Sequence, residues 1–257
     1  MAETEYPKTA VNKLGRLPKR GAYDYATVHG IINSAAILHV SFVDPEHPFP
    51  VVLPMLGCTA KFGHDGEGEE GVQDIYIHGY VNGRLFRQGK ASSEGEGEGL
   101  AVTVAASHMD GLVLALAPFH NSCNYRSSVA YGYATLVTDE AEQLFAMERI
   151  TNSLLPTRWQ RSRQPPTPAE LTSTSVLRVR IASASAKVRT GGPSEDRKDA
   201  KNEKLGGVWT GVLPCWVEWG EPVGAREGVE VEGWIEAWRG AENGRGRAGA
   251  GRAAEGK

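Results

Sequence analysis

The sequence contains few of the features that mark secreted, metal-binding or membrane proteins. It has only three cysteines in 257 residues, an odd number placed far apart, so we expect reduced thiols rather than a disulfide framework. Its seven histidines form no H-x-x-x-H pair and the cysteines no C-x-x-C pair, so we expect no metal site. The polar N-terminus lacks the apolar segment of a secretory signal. These absences predict a cytoplasmic protein.

Strong charge and nucleotide-binding loops are also missing. A net charge of -3 and a pI of about 6.2 give no basic surface for nucleic acid or an anionic membrane. The most apolar stretch, Leu100 to Phe119, is interrupted by Asp110, which argues against a membrane span. We interpret Met109-Asp110-Gly111 as a turn, which predicts a β-hairpin there. No G-x-G-x-x-G follows a predicted strand, and no G-x-S-x-G motif supports a hydrolase.

Short alternating segments dominate what the sequence does contain. About six to eight strands joined by short turns, with three or four helices, predict a mainly β fold with peripheral helices, an antiparallel barrel. Asp24 is expected to cap the first helix. Capping boxes are expected where Asp139 precedes Glu142 and where Thr167 precedes Glu170. Regular strand–helix alternation is absent, which argues against a parallel βαβ sheet.

Three segments are predicted along the chain. Residues 1–22 form an irregular N-terminal arm, and residues 23–238 form the barrel domain. Residues 239–257 are rich in glycine, alanine and arginine, so we expect a disordered C-terminal tail.

The stretch "DIYIHGYVNGR" (Asp74 to Arg84) carries the first candidate site. Gly79 allows a ligand to approach the backbone closely, and a strand end offers free N–H and C=O groups next to His78. Arg84 at the start of a helix suits a phosphate. Their spacing alone favours an ordinary strand–turn–helix with a surface arginine.

A second candidate lies in "FHNSCNYRSSVAYG" (Phe119 to Gly132). The side chains of Arg126, Ser127 and Ser128 can donate to phosphate oxygens, although a polar turn between strands explains them as well. His39 and His108 lie within apolar strands, where a lone histidine is more often a satisfied core residue than a ligand.

Taken in order, several motifs resemble one known family. They are "RGAYDYATVHGIINSAAILHVSF", "PVVLP", "DIYIHGYVNGR", "AASHMDGLVLALAPFHNSCNYRSSVAYGYATLV" and "ASAKVRTGGP…VWTGVLP". Together they resemble the flavin-nucleotide-binding branch of the pyridoxamine 5′-phosphate oxidase-like superfamily, which is related to the nitroimidazole-resistance flavoproteins. The resemblance implies a six-stranded antiparallel split β-barrel that forms a homodimer and binds FMN at the subunit interface.

The resemblance also implies particular contacts. His78 would stand beside the flavin as the catalytic residue, Arg84 would meet the phosphate, and the 125–128 segment would complete the site, in one version from the other subunit. The implied cofactor-binding residues are Pro54, Met55, Tyr76, Ile77, His78, Gly79, Arg84, Tyr125, Arg126, Ser127 and Ser128. No predicted strand carries the R-x-x-x-x-K pattern with which the true oxidases hold FMN, and their R-x-H-x-R substrate signature is also missing, which argues against vitamin B6 as the substrate.

Three functions follow as expectations. The first is an FMN-dependent oxidoreductase acting on a small-molecule organic acceptor. The second is a non-catalytic flavin-binding or flavin-storage protein. The third is a haem-handling split-barrel protein in which a histidine ligates iron, and a deazaflavin in place of FMN also stays open.

Overall fold

The computed structural model describes residues 4–63, 71–95 and 97–256 and divides the chain into two compact units. The first unit comprises Met1–Ser107 and Ser127–Lys187, and the second comprises His108–Arg126 and Val188–Lys257. This division does not coincide with the boundaries at residues 22 and 238 that the sequence suggests.

The strands and helices have the following bounds. The strands are β1 (Gly21–Ala22), β2 (Leu38–Phe42), β3 (Val51–Met55), β4 (Gly57–Ala60), β5 (Asp74–Tyr80), β6 (Leu100–Leu114), β7 (Ser122–Leu136), β8 (Thr174–Arg189) and β9 (Gly211–Pro214). The helices are α1 (Tyr25–Ser34), α2 (Arg84–Ser93), α3 (Glu140–Leu154), α4 (Pro168–Ser173), α5 (Arg197–Ala200) and α6 (Gly233–Glu255).

An antiparallel sheet with the strand order β3-β2-β6-β7-β8-β5-β4 forms the frame of the first unit, and β1 pairs with β8. Strands β2 and β3 form an antiparallel hairpin, with Leu38 opposite Met55 and Phe42 opposite Val51. The predicted mainly β fold with peripheral helices is confirmed. The described residues contain nine strands where the resemblance implied six.

The side chains of β2 alternate as a half-buried strand requires. Leu38, Val40 and Phe42 are buried, and His39 between them is exposed. The expectation that His39 belongs to the core is therefore wrong. It failed because an apolar strand with one solvated face still exposes every second residue.

Two of the predicted helix caps form as expected. The Asp24 carboxylate accepts a hydrogen bond from the backbone N–H of Thr27 at 2.8 Å, and Thr167 and Glu170 form a full capping box. Asp139 also caps α3 by accepting from the backbone N–H of Glu142 at 2.8 Å. The Glu142 side chain does not complete that box, because it is buried against Tyr76.

Helix α3 packs on β4 and β5 over a small core. The Tyr76 hydroxyl donates to Glu142 Oε1 at 2.8 Å, and Arg178 Nη1 donates to the same oxygen at 3.1 Å. The surrounding core cluster contains Cys58, Ala60, Tyr76, Ala146, Ile150 and Val176. A buried carboxylate needs such partners, because an unpaired one would be strongly destabilising.

Strand β6 contradicts the predicted hairpin at Met109–Gly111, since it runs without a turn from Leu100 to Leu114. Asp110 lies inside the strand with its carboxylate buried, and Arg126 makes a two-pronged ion pair with it, Nη2 to Oδ1 at 2.9 Å and Nε to Oδ2 at 3.0 Å. A partner sixteen residues away in sequence therefore makes a polar residue acceptable in the strand interior.

The tail is helical where the sequence predicts disorder. Helix α6 covers Gly233–Glu255, and Ala250 and Ala253 on it are buried. Near its C-terminus, the carbonyl of Ala253 accepts from Asn124 Nδ2 at 3.1 Å and from the backbone N–H of Gly191 at 2.7 Å. Small residues allow this close packing, which composition alone does not reveal.

Within the second unit, β9 pairs with the end of β6, Gly111 lying opposite Pro214. The backbone N–H of Cys215 then donates to the carbonyl of Asp110 at 3.2 Å. The three cysteines are free: Cys58 is buried, Cys123 is half-buried and Cys215 is exposed. Burial raises the pKa of the Cys58 thiol to about 12.

The N-terminal arm is held on the first unit by buried side chains. Tyr6 is 3% exposed, and its hydroxyl forms a hydrogen bond with His29 Nε2 at 2.6 Å. Tyr25 stacks on the same imidazole with ring centroids 6.0 Å apart. Burial lowers the pKa of His29 to about 4, against a smaller opposing effect of Asp24.

Candidate functional site

The end of β5 and the start of α2 form a single strand–turn–helix. Strand β5 pairs with β8 as far as Tyr80, but with β4 only as far as Ile77, which lies opposite Gly57. Beyond Ile77, β4 therefore no longer covers the edge of β5. The turn is closed by a hydrogen bond from the backbone N–H of Gly83 to the carbonyl of Tyr80 at 2.8 Å.

His78 is the first residue of β5 beyond the part of the strand that pairs with β4. Its imidazole is half-buried, and within the described part of the chain its buried Nδ1 has no hydrogen-bond partner. Desolvation lowers the pKa of His78, so the ring is neutral at neutral pH. A neutral imidazole has one donor and one acceptor, and a buried ring nitrogen without a partner is a cost that a ligand can remove.

Gly79 has a packing role that the sequence did not indicate. A Cβ atom at this position would lie 2.4 Å from Cε2 of Phe86, the ring of which fills the space. Phe86 is on the buried face of α2, so the glycine lets the helix pack closely on the strand. The free space at Gly79 is thus occupied by the protein itself.

The other two residues of "YIHG" belong to the core. Tyr76 and Ile77 are fully buried, and the backbone of both is paired with β4 on one side and β8 on the other. Neither side chain is exposed to a ligand, and we leave both out of the site proposed below.

Pro54 and Met55, at the end of β3, lie close to this strand end. Met55 precedes Gly57 by two residues, and Gly57 lies opposite Ile77. Strands β3 and β5 also approach each other directly. Met55 is half-buried and Pro54 is exposed, so a ligand at this strand end could reach both.

Arg84 begins α2, as expected, but it has an acidic partner that the sequence did not reveal. Its Nε lies 3.3 Å from Oδ2 of Asp44, the side chain of which is only 2% exposed, whereas the Arg84 side chain is 46% exposed. Helix α2 has Gly83 as its N-cap without a side-chain cap, and no acidic residue lies in its first turn. The helix dipole and the exposed part of Arg84 favour an anion here, and Asp44 partly offsets them.

Tyr125 and Arg126 lie in the second unit. Arg126 uses two of its nitrogens on the buried Asp110, so much of its charge is already neutralised. Tyr125 is half-buried. The family resemblance implied that both residues join His78 in one site.

Ser127 and Ser128 belong to the first unit but lie towards the other end of its sheet. The Ser127 hydroxyl donates to the carbonyl of Lys187 at 3.3 Å, whereas His78 lies opposite Val176. Eleven positions of β8 separate Val176 from Lys187, up to roughly 36 Å of strand. Ser128 is 1% exposed, and its Oγ has no partner within the described residues. Ser127 and His78 therefore lie next to opposite ends of β8.

Two residues that sequence reasoning missed join the strand–turn–helix. Asp44 lies outside both candidate segments of the sequence, and its burial against Arg84 depends on tertiary structure. Gln88, one helical turn after Arg84, has a buried Oε1 without a hydrogen-bond partner in the described chain. Its i, i+4 spacing from Arg84 was the available signal.

The described residues contain neither a cluster of metal ligands nor a membrane-spanning helix. Residues 4–63, 71–95 and 97–256 contain no group of three or more His, Cys, Asp or Glu side chains suited to a metal ion. Over the same ranges, no helix has the length and apolar character needed to cross a bilayer.

Comparison with known proteins gives a consistent family. The family profile described as pyridoxamine 5′-phosphate oxidase matches residues 24–188. No curated protein matches the sequence.

Solved structures extend the similarity along the chain. The flavocytochrome Anf3 from Azotobacter vinelandii is 29% identical with a TM-score of 0.69, covering 89% of this chain and 96% of its own. An FAD and heme binding protein from Mycobacterium smegmatis is 23% identical with a TM-score of 0.68, covering 85% and 96%. A Bacteroides thetaiotaomicron protein named for 5-nitroimidazole antibiotic resistance is 18% identical with a TM-score of 0.46, covering 65% and 86%.

Proposed function

The chain belongs to the pyridoxamine 5′-phosphate oxidase family, and from that premise we propose that it binds a flavin nucleotide at the β5–α2 turn. We propose FMN as the cofactor and a small organic acceptor as the substrate, which makes the protein an oxidoreductase. Bound flavin would supply the electron transfer, and the protein would supply binding, orientation and electrostatics.

The unpartnered His78 is the single observation that carries this proposal. Its buried Nδ1 lacks a partner at the place where β5 loses its β4 neighbour and turns into α2. A flat heterocycle lying along this edge would offer hydrogen-bonding groups to the imidazole and to the uncovered backbone. The residues present therefore fit the ring of a flavin.

A phosphate fits the neighbouring helix start less completely. The uncapped N-terminus of α2 and the half-exposed Arg84 attract an anion. The buried Asp44 holds the Arg84 side chain through Nε, which fixes its position but reduces the net positive charge. We assign the phosphate to this point, with Pro54 and Met55 beside the ring.

His78 would serve the reaction as a neutral group. Burial lowers its pKa, so at neutral pH the imidazole donates a hydrogen bond from one nitrogen and accepts one at the other. It would orient a bound acceptor and relay a proton through that hydrogen bond.

A homodimer is part of the proposal. One chain separates Ser127 and Ser128 from His78 by most of the length of β8, so these serines would join the site from a second copy. Exposed apolar side chains at the β2–β3 hairpin offer a surface for it: Phe49 is 75% exposed and Val52 is 56% exposed. A cytoplasmic location also stays a proposal, consistent with three free thiols.

A second candidate function is haem binding, and the similarity to the flavocytochrome favours it. That similarity covers 89% of this chain and therefore extends beyond the family match at residues 24–188. His78 would be the iron ligand in this version, because its ring lacks a full set of hydrogen-bond partners in the described chain.

Identification of the bound chromophore tests both candidates. Protein purified without added cofactor would be examined by absorbance spectroscopy, and the chromophore released by acid would be identified by mass. A flavin spectrum with FMN released supports the first proposal, and a Soret band supports the second. A colourless protein that takes up neither added FMN nor added haem would contradict both. Light scattering of the flavin-loaded protein would test the dimer.

A further inference from the structure

Gln88 lies on the helix of the proposed site, and the described residues do not satisfy its amide oxygen. It is the fourth residue after Arg84 on α2, so the two side chains share one side of the helix. Its terminal Oε1 is buried, and within the described residues it has no hydrogen-bond partner. Burying an amide without a partner opposes folding, so something outside the described chain is expected to satisfy it.

The surroundings of Gln88 make the amide more unusual. The buried residues of α2 are Leu85, Phe86 and Gly89, all apolar, and a leucine at position 88 would continue that surface without cost. His78, on the strand that leads into α2, carries another unpartnered buried atom. Two such polar atoms on one strand–turn–helix point to a shared polar ligand rather than to two independent defects.

The position of Gln88 narrows the chemistry of that ligand. In the proposed site His78 meets the ring and Arg84 meets the phosphate, and Gln88 lies one helical turn from Arg84. A flavin nucleotide joins its ring to its phosphate through a chain that carries hydroxyl groups. A hydroxyl both donates and accepts, as does an amide, so the two match in either orientation of the amide.

We infer that Gln88 hydrogen-bonds the hydroxyl-bearing chain of the flavin and so determines specificity for ribityl flavins over the bare ring. This inference rests on the proposed flavin site. It makes Gln88 a binding residue rather than a structural one. Loss of its amide is expected to weaken ligands that carry the ribityl chain and to leave ring-only ligands unaffected.

Three flavin probes test this inference on the full-length protein freed of its chromophore. Lumiflavin has the ring alone, riboflavin adds the ribityl chain, and FMN adds the phosphate. Affinities would be measured by fluorescence quenching for the wild type, Gln88→Leu and the control Gln160→Leu, the exposed amide of which lies on another segment. Thermal unfolding of the ligand-free proteins would be measured in parallel.

Gln88→Leu is expected to bind riboflavin and FMN about tenfold more weakly, because one neutral hydrogen bond is lost. It is expected to bind lumiflavin with the affinity of the wild type. Its ligand-free form should unfold at the same temperature or higher, because an unpaired buried amide has been removed. Equal weakening for all three probes, or none, would overturn the inference while the flavin site stands. A wild type that binds no probe would overturn the flavin site as well.

Discussion

Gly79 and Phe86 are matched in shape: a Cβ on the glycine would lie 2.4 Å from the phenylalanine ring. We therefore expect Gly79→Ala to push α2 away from β5 and to destabilise the protein by about 1–3 kcal/mol. Urea unfolding would measure the change. Adding Phe86→Leu to Gly79→Ala should recover part of the loss.

Gly30 provides the control for that substitution. It lies on the exposed side of α1, and a Cβ there would have nothing within 4 Å. Gly30→Ala should be neutral or stabilise the protein by about 0.5–1 kcal/mol. If Gly79→Ala behaves like Gly30→Ala, the packing reason for Gly79 is wrong.

Arg84 should be tested together with its partner. Arg84→Ala alone would leave the buried Asp44 carboxylate unpaired and destabilise the fold, so the informative variant is Arg84→Ala with Asp44→Asn. We expect FMN affinity to fall about tenfold to a hundredfold, or roughly 1.5–3 kcal/mol, with riboflavin affinity little changed. Fluorescence quenching would measure the affinities of the double variant and of the wild type for FMN and for riboflavin.

Lys90→Ala is the matched control for Arg84, because Lys90 is an exposed cation in the last turn of the same helix. Arg178 is unsuitable for this purpose, because it pairs with the buried Glu142. An equal loss of FMN affinity in the Lys90 variant would contradict the assignment of the flavin phosphate to Arg84.

Loss of His78 should affect turnover more than binding. His78→Ala is expected to keep the dimer and most of the FMN, and to slow reoxidation of the reduced flavin by an added acceptor on the order of a hundredfold. Stopped-flow absorbance would follow the reoxidation, with His39→Ala as an exposed histidine control. Wild-type rates in the His78 variant would make His78 a structural residue rather than a catalytic one.

The buried His29 should make the fold sensitive to acid. Its pKa is about 4 in the folded chain and near 6.5 when unfolded, so the unfolded state binds the proton first as the pH falls. Stability is then complete above about pH 6.5 and declines towards pH 4, by roughly 3 kcal/mol.

His29→Gln is expected to reduce that decline, since glutamine can still bond Tyr6 but does not titrate. Urea unfolding of both proteins at neutral and acidic pH would provide the comparison. An identical pH dependence in the two proteins would mean that other groups, His78 among them, account for the acid sensitivity.

Removal of residues 239–257 should destabilise the second unit. The deletion takes away most of α6. It removes Ala253, whose carbonyl accepts hydrogen bonds from Asn124 and Gly191. It also removes Asn243, whose amide accepts from the backbone N–H of Trp219 at 2.8 Å and donates to the carbonyl of Trp219 at 2.9 Å. We expect a lower unfolding temperature and faster proteolysis of the second unit. Unchanged stability would favour the disordered tail that composition suggests.

Features set by neighbouring residues were predictable from the sequence. The Asp24 cap and the Thr167–Glu170 box depend on residues three apart, and both formed. The strand–turn–helix from Asp74 to α2 was located for the same reason, because alternation and turn residues lie within one short segment. The split-barrel class itself came from resemblance, and the family match confirms it.

Features that depend on distant partners were missed. Asp110 led to the prediction of a turn. The prediction failed because the partner that stabilises Asp110 inside the strand, Arg126, lies sixteen residues further along the chain. The glycine-rich sequence of α6 does not predict a helix. The helix is stabilised by tertiary packing, in which Ala250 and Ala253 are buried, and this packing cannot be read from the sequence. Asp44 and Gln88 escaped notice because burial, not residue type, makes each of them unusual.

The three cysteines lie in different environments, so a thiol reagent is expected to react with them at different rates. At neutral pH the buried Cys58, with a pKa of about 12, is almost entirely protonated and inert to alkylation, whereas Cys215 is exposed. The backbone of Cys215 is held by its bond to Asp110, so a label attached there would have a fixed base. Cys215 is thus the most exposed thiol for a fluorophore or nitroxide in the second unit, and labelling it there does not require replacement of the buried Cys58.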